Sequence, residues 1–316
     1  MRVIDHLDGK GTKISFELLP PLRGSSIKSV YATIDRLKEF DPLCINITYH
    51  KEETVFSKLA DGSMKRKVLR KRPGTVGLAA AIQHKYNIDV VPHIICGGFS
   101  RRETEEALID LDFLGIHNLL VLRGDPDKDT GKFQACEDGH SYAVDLVRQI
   151  MDMNRGKYLE SYYSEPAATS FSVGVAGYPE KHYEASSFET DLHYLKKKVE
   201  AGAEYIVTQM FFDNRVFHEF VKRCRETGIN VPIIPGLKPV ALKKHLKILP
   251  KVFGVRIPDE LAREINSCKS EPAVYQAGIE WAAGQSAELL KSGVPAIHYY
   301  TMSRPDNIVE IVRRVF

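Results

Sequence analysis

Eight short apolar runs punctuate the chain, at Lys13–Leu19, Leu43–Tyr49, Val90–Cys96, Asn118–Gly124, Phe171–Tyr178, Tyr205–Met210, Val231–Gly236 and Ala296–Thr301. They are rich in Ile, Val, Phe and Tyr, and several are apolar nearly throughout. Such runs suit parallel strands covered on both faces. Between them apolar residues recur at helical spacing. Ser25–Phe40 opens on serines and repeats Ile27, Val30, Tyr31, Ile34 and Leu37. Ser100–Leu114 begins Ser-Arg-Arg-Glu, a capping box in which Glu103 can reach back to the backbone of Ser100. Asp191–Ala201 and Arg215–Thr227 run into Gly202 and Gly228, as helix C-caps do. A last helix is predicted over Asn307–Phe316, and the basic stretch Lys65–Arg72 reads as a surface helix.

Eight such units predict an α/β fold, the (β/α)8 TIM barrel, with extra helices in Arg256–Gly293 before the last strand. The expectation is a single catalytic barrel domain over 1–316, with no regulatory domain. A doubly wound sheet is the alternative. It is weakened because no GxGxxG follows the first strand and no GxxxxGK[ST] occurs anywhere. The segment Asn154–Ser170 exceeds ordinary loop length and is either a cover loop or a tolerated insertion.

Composition narrows the class. The chain has 316 residues, 43% of them hydrophobic, enough to fill a sizeable core. Forty-four Lys and Arg face 41 Asp and Glu, a net charge of +3. That balance is not the footprint of a nucleic-acid or membrane-surface protein. No apolar run approaches the roughly 20 residues of a membrane span. The N-terminal MRVIDHLDGKGTK has neither a secretory apolar stretch nor an acid-free presequence. Cys44, Cys96, Cys136, Cys224 and Cys268 are odd in number and form no CxxC, so reduced, mostly buried thiols and a cytoplasmic location are expected. The sequon at Asn46 lies in an apolar run and reads as a chance match.

Barrel chemistry sits where strands finish. Polar groups recur there: Glu17, Thr48 and Tyr49, His93, Arg123 and Asp125, Tyr178 and His182, Gln209, Lys238, and Arg304 beyond the last strand. Glu17 lies among Ile14, Phe16, Leu18 and Leu19. There it is either an acid of raised pKa or a carboxylate satisfied by a barrel cation. Arg123-Gly124-Asp125 is either a close-approach site for a ligand or a plain strand-ending turn. His93 is a satisfied core histidine or a ligand contact. Phe211 and Phe212 either stack on a planar ligand or pack. No HExxH or second His at ligand spacing marks a metal, and none is expected.

The segments ISFELLPP, INITY, VVPHIIC, LLVLRGDP, GYPEKH, DLHYLKKKVEAGAEYIVTQMFFD, IIPGLKPV and HYYTMSR are unspecific singly. In this order, over residues 13–304, the chain resembles the methylenetetrahydrofolate reductase family in its short bacterial form. The resemblance implies a cytoplasmic, oligomeric flavoprotein of one-carbon metabolism and methionine biosynthesis. Its FAD takes a hydride from NADH or NADPH and passes it to 5,10-methylenetetrahydrofolate, giving 5-methyltetrahydrofolate. It also implies roles. Glu17 is the general acid that helps open the folate ring to an iminium cation, and Asp125 stands beside flavin and folate. Thr48 contacts the nicotinamide. Tyr49, His93, Arg123, Gly124, Tyr142, Ala143, Tyr178, His182, Ala185, Asp191 and Lys198 contact the flavin. Gln209, His245 and Arg304 contact substrate, His245 standing where a glutamine is common. Leu249 replaces a stacking aromatic, Tyr194 replaces a polar flavin contact, and HKEE follows INITY in place of small residues. Two alternatives remain at this point: a metal-assisted barrel hydrolase built on His93, His182 and Asp125, and a non-catalytic folate- or flavin-binding barrel.

Overall fold

Each predicted apolar run forms a stave of one cylinder. The computed structural model describes residues 2–7, 11–127, 131–160, 162–302 and 304–316, without the side chains of 53–55 and 66. The staves are β1 (Lys13–Leu18), β2 (Cys44–Ile47), β5 (Val90–Ile95), β6 (Asn118–Leu122), β7 (Ser172–Gly177), β8 (Tyr205–Thr208), β9 (Ile233–Ile234) with β10 (Gly236–Leu237), and β11 (Ala296–Tyr300). All pair in parallel, in the order β10-β11-β1-β2-β5-β6-β7-β8-β9.

Closure falls on the stave around Pro235. Ile233 and Ile234 pair with β8, whereas Gly236 and Leu237 pair with β11. Proline has no N–H to give to a ladder, but its carbonyl accepts from the His298 amide at 2.9 Å. The Gly236 amide turns back to Thr208 Oγ1 at 2.9 Å. One residue step therefore passes the stave from one neighbour to the other. The nine strand segments make eight staves and a closed TIM barrel, as expected.

Helices α1 (Lys28–Leu37), α2 (Thr75–Tyr86), α3 (Arg101–Phe113), α4 (Ala143–Met153), α5 (Phe188–Glu200), α6 (Asn214–Glu226), α9 (Glu271–Lys291) and α10 (Asp306–Val315) form the outer layer. α7 (His245–Phe253) and α8 (Asp259–Ser267) are additional. The capping box forms: Glu103 N–H donates to Ser100 Oγ at 3.2 Å and Ser100 N–H to Glu103 Oε2 at 2.8 Å. α5 starts three residues before the predicted Asp191, because Ser187 Oγ accepts from the Thr190 amide at 3.1 Å and serves as the cap.

Side chains alternate along each strand. One set buries Phe16, Ile45, Ile47, Val121, Val173, Ile206 and Ile297 against the helices. The other fills the lumen with Cys44, Val91, Leu120, Tyr205, Val207, Ile234 and Ala296, and Val3 and Leu7 close its lower end. The Val3 amide is tied to Asn118 Oδ1 at 2.8 Å. Large residues are accommodated opposite glycines. A Cβ on Gly174 would lie 2.3 Å from the Tyr205 ring.

One predicted element is wrong. Lys65–Arg72 is not a helix: Met64–Leu69 is strand β4, antiparallel to β3 (Glu53–Lys58). Ala60-Asp61-Gly62 makes the turn, the Gly62 amide donating to the Leu59 carbonyl at 2.9 Å. Gly62 has φ +86° and Asp61 Oδ1 accepts from the Ser63 amide at 2.9 Å. The run of basic residues leaves no polar–apolar alternation along β4, and only the Asp-Gly dipeptide before it signals a hairpin turn. The hairpin follows β2 at the carboxyl face. The 154–170 segment, of which 161 lies outside the described residues, joins α4 to β7 and so lies at the opposite end. That position makes it a tolerated insertion and not a cover. Cys44, Cys96 and Cys224 are buried free thiols, while Cys136 is exposed. Among the described residues no helix is long and apolar enough to cross a membrane.

Candidate active site

The lumen-facing set on β1 is Ser15 and Glu17. On β11 it is Ala296, His298 and Tyr300, and past β10 it continues to Lys238. Register sets their heights. Glu17 is level with Tyr300, and Leu237 with Tyr299, so Lys238 also stands level with Tyr300. Glu17 and Lys238 therefore flank Tyr300 in one layer at the mouth. Tyr300 lies across Gly236, where a Cβ would come within 2.7 Å of its ring, and its hydroxyl donates to the Thr208 carbonyl at 2.6 Å. The ring forms a bar beneath the mouth.

Glu17 is 13% exposed and its Oε2 lies 3.8 Å from His93 Nε2. Burial raises its pKa to about 8; Lys238 opposes the rise and Asp125 adds to it. His93 is almost fully buried, and burial, with the nearby His298 ring second, lowers its pKa to about 3. The pair is thus an acid beside a neutral imidazole, not an ion pair. One layer down, His298 Nδ1 meets Ser15 Oγ at 2.8 Å and is likewise held neutral by burial, its pKa about 3. Among the described residues, the buried Nε2 atoms of His93 and His298 and the Tyr49 hydroxyl have no hydrogen-bond partner.

The other residues singled out in the sequence line the same carboxyl face. Thr48 Oγ1 meets His50 Nε2 at 3.2 Å. Tyr49 packs edge-on against Phe99, centroids 5.0 Å apart. Arg123 pairs with Glu184 and lies 4.8 Å over the Phe133 ring. Gly124 has φ +93° with Ile95 behind it, so the turn presents bare backbone. Asp125 is exposed beside it. Tyr178 and His182 are edge-to-face at 4.7 Å. The His182 amide donates to Asp191 Oδ2 at 2.9 Å, and the Ala185 amide to the His182 carbonyl at 3.0 Å. Burial lowers the His182 ring to about 4. Lys198 is the inward member of the Lys196–Lys198 run. Its Nζ donates to the Ala176 carbonyl at 2.6 Å, and burial lowers it to about 8 against the pull of Asp191.

Gln209 turns its Oε1 to the Met210 amide at 2.9 Å. His245 Nδ1 accepts from the Ala241 amide at 3.2 Å; burial and then Lys238 lower its pKa to about 4. Arg304 is exposed in the turn after β11, its amide on the Thr301 carbonyl at 2.9 Å. Tyr142 caps α4 next to Ala143, and its ring runs parallel (6°) to that of Tyr194 at 6.4 Å. The ligand-stacking reading of Phe211 and Phe212 is not realised: both are buried, Phe211 on Phe217 at 5.3 Å and Phe212 in the cluster that holds Leu249. Among the described residues no three His, Cys, Asp or Glu side chains gather where a metal could sit, so the hydrolase alternative lacks a ligand set.

Sequence reading gave Lys238 no role beyond rim polarity, although the alternation of Ile234, Gly236 and Lys238 places it on the lumen face. Tyr300 was missed. Only pairing with the side-chain-free Gly236 could have revealed its position.

A family model described as methylenetetrahydrofolate reductase matches residues 2–315. The chain is 31% identical over 326 residues to methylenetetrahydrofolate reductase (NADH) 1 of Arabidopsis thaliana, covering 99% of this chain and 50% of that protein. It is 29% identical to the 5,10-methylenetetrahydrofolate reductase of Pectobacterium carotovorum, covering 93% of this chain and 86% of that one. It spans about half the length of the plant relatives it matches. A Clostridium thermocellum protein, described as binding two copies of 5-methyl-5,6,7,8-tetrahydrofolic acid, has the same fold with a TM-score of 0.58 at 14% identity, covering 98% of this chain and 96% of that one. With the family model matched from end to end of the barrel, the chain belongs to the methylenetetrahydrofolate reductase family.

Proposed function

We propose that the protein is a flavin-dependent 5,10-methylenetetrahydrofolate reductase that draws electrons from NADH or NADPH. The observation that carries the reading is Glu17, a carboxyl raised to about 8 at the barrel mouth and so largely protonated at neutral pH. The mouth also fits a polar planar ligand. Among the described residues nothing satisfies the buried His93 Nε2 and Tyr49 hydroxyl, and Gly124 leaves room for close approach. Unpaired buried polar atoms are costly unless something completes them.

When bound, FAD supplies the two-electron hydride chemistry that no side chain here provides. Tyr49, His93, Arg123, Gly124, Tyr142, Ala143, Tyr178, His182, Ala185, Asp191 and Lys198 would hold it, and Thr48 would meet the nicotinamide of the electron donor. Lys198 and Arg123 bring positive charge for its phosphates. Glu17 delivers its proton to a ring nitrogen of the folate, which opens the five-membered ring to a cationic iminium. Asp125 stabilises that cation electrostatically. The Gln209 amide both donates and accepts, and with His245 and Arg304 it orients the substrate.

The purified protein is expected to take up FAD and turn yellow, to oxidise NADH or NADPH with a quinone acceptor, and then to reduce methylenetetrahydrofolate. A protein that remains colourless in excess FAD overturns the proposal. Stopped-flow bleaching by each nucleotide identifies the donor. The relatives' names differ on it, the Arabidopsis protein being designated NADH and a Caenorhabditis elegans protein probable NADPH.

A further inference from the structure

We propose that Lys238 is a positioning residue for proton delivery: held across Tyr300 from Glu17, its ammonium is the counter-charge that receives the carboxylate once Glu17 has given up its proton. The inference rests on the proton-donor role proposed for Glu17.

Geometry carries it. Lys238 and Glu17 share one layer on either side of β11. Two strand spacings separate their backbones by about 10 Å, and the Lys238 charge acts on the Glu17 carboxyl across that gap. Lys238 is partly buried, and Pro239 stiffens the chain after it. Val240 then abuts α9: a Cβ on Gly278 would fall 1.8 Å from the Val240 carbonyl. The rim segment is therefore clamped from behind. Among the described residues no group accepts a hydrogen bond from the Lys238 ammonium. It acts on two titrating neighbours, opposing the burial of Glu17 and depressing His245.

The remaining groups facing Glu17 do not supply this charge. His93 on β5 is neutral, Tyr300 on β11 is held protonated by burial, and Asp125 after β6 is of the wrong sign. Lys238 is the cation that the described residues bring to bear on the acid. A carboxyl buried without a counter-charge would keep its proton and be a poor donor. One fully paired would already have lost it. A lysine on the far side of β11 leaves Glu17 protonated at rest and stabilises the carboxylate when it forms.

The test follows the Glu δ-carbon resonances of ¹³C-labelled protein against pH, with Glu17→Gln identifying the Glu17 signal. In Lys238→Met the Glu17 midpoint should rise by about one pH unit, and in Lys238→Arg it should stay near wild type. The coupling is reciprocal, so the Lys238 ζ-nitrogen of the ¹⁵N-labelled Glu17→Gln protein should titrate lower than in wild type by a similar amount. That second measurement stands if Lys238→Met does not fold. An unmoved Glu17 midpoint in folded Lys238→Met overturns the proposal, as does an equal rise in Lys238→Arg, which would mark a packing effect. The proton-delivery role adds a rate signature. In Lys238→Met the alkaline limb of methylenetetrahydrofolate reduction should move with the midpoint, and a limb that stays put also overturns the role. A wild-type protein that shows the coupled midpoints but never reduces methylenetetrahydrofolate retires the proposed reaction and leaves the Glu17–Lys238 pair intact.

Discussion

Glu17→Gln separates the two halves of the proposed reaction. Reduction of bound FAD by the nicotinamide nucleotide needs no proton from this side chain and should persist. Methylenetetrahydrofolate reduction should fall about a thousandfold, within the range for loss of a general acid. Stopped-flow absorbance reads both, and a parallel fall would remove the acid role. The same substitution has a thermodynamic signature. Folding lifts the Glu17 pKa from 4.5 to about 8, so the native state binds a proton that the unfolded chain releases. Stability contributed by this residue is therefore undiminished below pH 4.5, declines as pH rises through the interval, and is constant again above about 8. At about 1.4 kcal/mol per pH unit the full decline is on the order of 5 kcal/mol. Gln carries no such proton. The variant should gain stability over wild type as pH increases, with no gain near pH 4, as denaturant melts at several pH values would show.

Gly236→Ala is the second large effect. The new methyl group would lie 2.2 Å from the Thr208 carbonyl, 2.7 Å from the Tyr300 ring and 2.8 Å from its hydroxyl. Side chains can swing aside, but the Thr208 carbonyl belongs to the next stave. The strand would have to retreat at the step where the barrel closes. Overpacking of this kind costs about 3 kcal/mol. Removing the ring as well, in Gly236→Ala/Tyr300→Ala, should not restore stability, because the backbone contact remains. Recovery in the double variant on a urea melt would show that the ring was the obstacle.

The contrast between these two residues shows how much the sequence discloses. Glu17 was legible because burial is local: four apolar neighbours within three positions announce a desolvated carboxyl. All eight staves were legible for a similar reason, since a strand covered on both faces has no polar side to hide. Gly236 and Tyr300 were opaque. Their meaning lies in a contact between strands that no local pattern encodes. The β3–β4 hairpin was misread because Lys65, Lys67 and Arg66 filled alternate and intervening positions alike, erasing the polar–apolar contrast on which period-2 recognition depends. Lys238 was visible only as a charge at a strand end. Its partner across β11 required the register. The role residues implied by family resemblance do gather at one face, although Leu249 is absorbed into the packing of α7 and α8 instead of meeting a ligand.

The 154–170 segment gives the molecule a handle. Tyr162, Tyr163, Ser164 and Glu165 project into water, while Asn154 pins the base by accepting from the Phe171 amide and donating to its carbonyl, both at 2.8 Å. A fluorophore or affinity peptide spliced between Ser164 and Glu165 would hang from the far end of the cylinder. It could report or immobilise without obstructing traffic at the mouth.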